Sequence, residues 1–167
     1  MSDPARTRIK KSERPSRPAV PAMPAMDALD ATHREVMSTL QRLQHWVEQL
    51  ESDGIDAQTR ATAKEICEFF DSSAREHHAA EERIVFPKLL GSGDEEMVHH
   101  VRRLQQDHGW LEEDWLEMQP QLRAVVDGYS GYDIDFLRAA VPVFTELYQE
   151  HIALEENIVY PARRRQG

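Results

Sequence analysis

The chain has one cysteine, Cys67, in 167 residues. That excludes an internal disulfide framework and a cysteine-built zinc site. Aromatics are only 7% of the residues. No apolar run approaches the ~20 residues that a membrane-spanning helix needs. The basic, proline-rich start has no apolar core of the kind a secretory signal carries, so a cytoplasmic protein is expected. No stretch alternates apolar and polar residues as a half-buried strand would, and neither a glycine-rich phosphate loop nor a Gly-x-Ser-x-Gly elbow is present. Positive charge is also scarce. The net charge is -10, which argues against a general nucleic-acid binder.

What is present is unevenly placed. Residues 1–26 hold six basic residues against two acidic ones, so the remainder carries -14 of the overall -10. The same stretch holds five of the nine prolines and almost no large apolar side chain. It reads as a disordered basic arm, because it cannot bury enough surface to offset its ordering entropy. A solvated tail is the simpler role, and docking to an acidic protein partner the sharper one.

Residues 27–167 read as one all-α domain of four amphipathic helices. Asp27, Asp56 and Asp94 are placed to cap the first three. The apolar stripes run from Leu29 to Leu50, from Ile66 to Val85, from Met97 to Leu122 and from Ile134 to Ile158. Gly54, the Gly91–Gly93 stretch and Asp127–Gly131 supply the turns. Pro87 and Pro161 are expected to close the second and fourth helices, and Pro120 and Pro142 to kink or shorten theirs. Short turns between long helices imply an up-down-up-down four-helix bundle.

The domain repeats itself. Residues 76–87 (EHHAAEERIVFP) and 150–161 (EHIALEENIVYP) share eight of twelve positions at an offset of 74, and an offset of 75 takes His33 to His108. The first two helices therefore match the last two about a pseudo-twofold axis. Counted from the turns, His33, His77, His108 and His151 fall at depths that agree to within about one to three ångströms at ~1.5 Å per residue. All four lie on apolar stripes. Glu81 and Glu155 follow His77 and His151 by four residues, the spacing that brings two side chains together on a helix. Four inward histidines and two inward glutamates are expensive as bare core groups. Around metal they make sense: two carboxylates can bridge two ions, with two imidazoles for each. This donor set suits iron, and also manganese or zinc. A ferritin-like site fits poorly, since it uses Glu-x-x-His pairs and lone glutamates.

His33, the His77-x-x-x-Glu81 pair, His108 and the His151-x-x-x-Glu155 pair, in that order, resemble the hemerythrin-like (HHE cation-binding) domain over residues 27–161. The resemblance implies a four-helix bundle with two non-haem iron ions bridged by the two carboxylates and an oxo or hydroxo group. It implies reversible binding of a small diatomic, oxygen or nitric oxide, with iron redox change, in sensing or handling those molecules. Iron storage or donation, including iron–sulfur cluster repair, and peroxidase or oxidase chemistry are the alternatives. Oxygen-carrying members have a fifth histidine one turn before the lone histidine of the third helix, and here that residue is Leu104. The repair branch usually carries an N-terminal cysteine-containing domain, which this short arm is not.

The remaining histidines are expected elsewhere. His45 and His100 are two or more turns away, and His78 is rotated about 100° from His77, so all three are expected at the solvated surface. Glu112 is read as an exposed acid, with metal ligation or hydrogen bonding to an imidazole as its alternative roles. Tyr148 is read as a core residue with a possible reach into the pocket. Glu82 and Glu156 are read as flanking acids paired with Arg83 or Arg75. Cys67 is assigned to packing.

Overall fold

A computed structural model describes residues 22–167, with side chains from residue 25. The first bundle helix is α1 (Ala22–Asp53). The second consists of α2 (Ala57–Glu68), a π-helical turn at Phe69–Ser73, α3 (Ala74–Ile84) and α4 (Phe86–Leu90). The third is α5 (Glu95–Val126). The fourth consists of α6 (Ile134–Leu154), a second π turn at Glu155–Val159 and α7 (Tyr160–Arg165). No strand occurs among the described residues. Each bundle helix packs against its neighbours in the order α1–α2–α5–α6 and back to α1, which is the up-down-up-down arrangement.

The turns follow the chemistry of their caps. Asp56 accepts from the Thr59 amide at 2.7 Å while Thr59 Oγ1 accepts from the Asp56 amide at 2.8 Å. This reciprocal pair satisfies two free donors and contributes roughly 1 kcal/mol. Asp94 and Asp133 cap α5 and α6 in the simpler one-bond manner. Asp27 caps nothing: it lies inside α1, beside the Arg164 guanidinium at 3.7 Å. Residues 22–26 are helical and Met26 is buried, so they belong with the bundle. The expected disorder of residues 1–21 lies outside the described residues.

Two of the prolines act differently from expectation. Pro87 and Pro161 fall in the first turns of α4 and α7, the positions where a helix tolerates proline best. The second and fourth bundle helices therefore run on to Leu90 and Arg165. Pro120 and Pro142 lie within the uninterrupted helices α5 and α6.

Two apolar clusters fill the interior. The larger lies toward the Gly54 turn and includes Leu40, Trp46, Phe70, Trp115 and Phe144. The smaller includes Met26, Leu29, Phe86, Leu104 and Tyr160. Trp46 reaches across to donate to the Thr59 carbonyl at 2.9 Å. Asp71, on the first π turn, accepts from Trp115, Gln119 and Arg123 of α5 at 2.8, 2.8 and 2.6 Å. Burial opposes its charge, yet these three donors hold the Asp71 carboxyl below its usual range. The layer between the two clusters is polar.

Candidate metal centre

That layer is built from every bundle helix. His33 comes from α1, His77 and Glu81 from α3, His108 from α5, and His151 and Glu155 from the junction of α6 with the second π turn. All six are buried, and both glutamates are 0% exposed. The six residues selected from the sequence are thus brought together.

Their arrangement has two halves. The His33 and His77 rings are 4.7 Å apart and the His108 and His151 rings 5.0 Å apart. Each glutamate spans both halves. Glu81 Oε1 is 3.1 Å from His77 Nε2, and Glu81 Oε2 is 3.0 Å from His108 Nε2. Glu155 Oε2 is 3.0 Å from His33 Nε2, and Glu155 Oε1 is 3.0 Å from His151 Nε2. Several of these close atoms are not aligned for hydrogen bonds: Nε2 of His77, His108 and His151, Oε2 of Glu81 and both Glu155 oxygens have no hydrogen-bond partner. Unsatisfied buried polar atoms are rare, and here they converge on one layer. Two donor atoms in cis around an ion at ~2.1 Å lie ~3.0 Å apart, so the donor set and its spacing fit metal.

The electrostatics agree. Burial opposes charge on His33 and His108, and the two carboxylates overcome it, raising both to about 10. Burial and the neighbouring Glu81 charge push Glu155 up, while His151 and His108 more than compensate and hold it at about 2. The layer thus binds positive charge strongly.

Residues 25–162 match the family model of the Hemerythrin HHE cation binding domain. The chain belongs to this family. An uncharacterized protein of Haemophilus influenzae is 28% identical over 124 residues, which cover 74% of this chain and 70% of the relative. No solved structure gives a significant match. This hemerythrin-family chain thus belongs to a cation-binding family and carries a buried His/Glu cluster able to hold a metal ion. No helix among the described residues is long and apolar enough to cross a membrane.

The surroundings of the hemerythrin-family layer correct several sequence expectations. Glu156 and Glu82 do not pair with arginines. They accept from Nδ1 of His33 and of His108, at 3.0 and 3.1 Å. This fixes each ring and leaves Nε2 directed inward. Asp107, not singled out from the sequence, stands 3.4 Å from His151 Nδ1. Tyr160 was missed too. It stacks on His33 at 5.1 Å and its hydroxyl donates to Glu81. Its repeat counterpart Phe86 stacks on His108 at 5.5 Å. Ile158, expected inward, is 39% exposed, and Tyr160 two residues on is fully buried.

His78 is the largest departure. It is 4% exposed, not a surface residue. A bundle helix buries a sector at least 100° wide, so both His77 and His78 face inward, one toward α1 and the other toward α5 and α6. Glu112 Oε1 lies 3.4 Å from His78 Nδ1 and the Tyr148 hydroxyl 3.5 Å from His78 Nε2. Glu112 is half-buried rather than exposed. A cleft lined by Phe70, Ala74, Leu111, Trp115 and Tyr148 also reaches His78. His45 is exposed as expected, and His100 is partly so. Cys67 is fully buried and its thiol is pushed up to about 11 by burial, consistent with packing rather than redox work.

Proposed function

We propose that this chain is a non-haem di-iron protein that binds a small diatomic, oxygen or nitric oxide, with a change in iron oxidation state, in the cytoplasm. One observation carries the dinuclear reading: each of Glu81 and Glu155 directs one oxygen to each histidine pair. The assigned ligands are His33, His77, Glu81, His108, His151 and Glu155, with the two carboxylates shared. Imidazole and carboxylate together favour iron over ions that prefer all-oxygen or thiolate sites. Zinc and manganese are the competitors.

When bound, an iron pair supplies electrons and an exchangeable coordination position. The protein's own residues set the conditions. Glu156 and Glu82 hold the Nδ1 protons of His33 and His108, so each ring offers Nε2. Tyr160 keeps its proton, because burial and then the Glu81 charge raise its pKa, and it donates that proton's hydrogen bond to Glu81. The two apolar clusters exclude bulk water from both sides of the layer. The full enclosure of both glutamates favours retained ions over iron donation.

Anaerobic reconstitution with ferrous iron, followed by metal analysis and Mössbauer spectra before and after nitric oxide or oxygen, tests the reading. Two irons per chain and a spectral change with either gas are expected. One metal or none after reconstitution would defeat it.

A further inference from the structure

The internal repeat makes the two halves of the layer comparable, and they differ in one direction. His78 stands where the repeat places Ile152, Glu112 where it places Met37, Tyr148 where it places Ala74, and Asp107 where it places Thr32. Asp107 meets His151 and His78 stacks on His108 at 4.0 Å, while Glu112 and Tyr148 meet His78. On the other side Met37 and Ile152 line a depression beside His33. Core packing alone gives no reason to load one half with four polar groups.

His78 is also held as the His33 and His108 rings are. Its Nδ1 faces a carboxylate, Glu112 at 3.4 Å, as His33 faces Glu156 and His108 faces Glu82. That leaves Nε2 on the buried side, near Tyr148. Donor atoms of His78, His108 and His151 all lie within 4.8 Å of one another. Nitrogens sharing an ion at ~2.1 Å lie ~3.0 Å apart in cis and ~4.2 Å in trans, and the near-parallel His78 and His108 rings must tilt apart for both nitrogens to aim at one ion.

We propose that His78 is a ligand of the metal ion held by His108 and His151, giving that ion three imidazoles and its neighbour two. The inference rests on the dinuclear reading above. The neutral ring gives the Nε2 lone pair, and its Nδ1 proton stays on the hydrogen bond to Glu112. No proton or electron leaves the site. The ion behind the cleft is capped by His78, and the exchangeable position belongs to the ion of His33 and His77.

The test is a count. The full chain is loaded anaerobically with cobalt(II), metal content is measured, and proton NMR records the strongly shifted, exchangeable ring N–H signals, one for each metal-bound imidazole. The wild type is expected to hold two ions and show five such signals, from His33, His77, His78, His108 and His151. His78→Gln is expected to keep two ions and lose one signal. Glu112→Gln is expected to keep five and move one. A fully loaded wild type with four signals overturns the role of His78 and needs no variant. A wild type that takes up fewer than two ions overturns the dinuclear reading instead.

Discussion

Glu156 accepts a hydrogen bond from His33 Nδ1 at 3.0 Å across 123 residues of sequence, and Glu82 holds His108 in the same way. Such carboxylate partners orient an imidazole and raise its basicity, and losing one typically weakens metal binding roughly 10–100-fold. Glu156→Gln is expected to weaken binding within that range, with the fold intact because Glu156 is solvent-facing on its other side. Competition against a chelator of known affinity measures it. An unchanged affinity would mean that His33 is fixed by Tyr160 alone.

Tyr160→Phe keeps the stacking on His33 and removes the donor to Glu81. A hydrogen bond to a charged group is worth about 1.5–3 kcal/mol. The metal-stripped variant is expected to lose about that much unfolding free energy in urea.

The layer predicts opposite pH trends for stability and for metal uptake. His33 and His108 sit at about 10 against 6.5. Raised values stabilise the stripped protein fully below pH 6.5, and this stabilisation is lost as pH rises through 10. Glu155 sits at about 2 against 4.5. Its stabilisation is present above pH 4.5 and lost as pH falls through 2. Thermal melts of the stripped chain should therefore fall as pH is raised above 6.5. Metal must displace the same protons, so its affinity should rise over that range, with protons released in an unbuffered titration.

Much of this was legible in the sequence because it is periodic. The helices, the Asp56 and Asp94 caps and the six-residue layer all follow from apolar spacing and the repeat. What escaped was rotational. The π turns at Phe69–Ser73 and Glu155–Val159 break the 3.6-residue count, and the apolar stripe alone does not tell the exposed Ile158 from the buried Tyr160. His78 escaped because a uniform 100° step assigns one of two adjacent residues to solvent, whereas this helix is enclosed on two sides. Glu82 and Glu156 were conspicuous in the repeat, but their partners lie on other helices, beyond the reach of local pairing rules.

Asp71 offers a control far from the layer. It gathers Trp115, Gln119 and Arg123 onto the second bundle helix. Asp71→Ala leaves a buried indole N–H unpaired and is expected to cost about 1–3 kcal/mol, read by urea unfolding, with metal stoichiometry unchanged. A loss of metal in the folded variant would show that the first π turn sets the position of His77.

The repeat also has a mechanical consequence. The partners of His33 lie on the fourth bundle helix, at Glu155, Glu156 and Tyr160, and those of His108 on the second, at Glu81, Glu82 and Phe86. Neither helical hairpin owns a complete half of the layer. Each lends its acids to the lone histidine of the other, like the fingers of two clasped hands. Parting the hairpins opens both halves at once, so loss of cargo and loss of shape become one event, and a single hairpin regains the full constellation only by meeting a second.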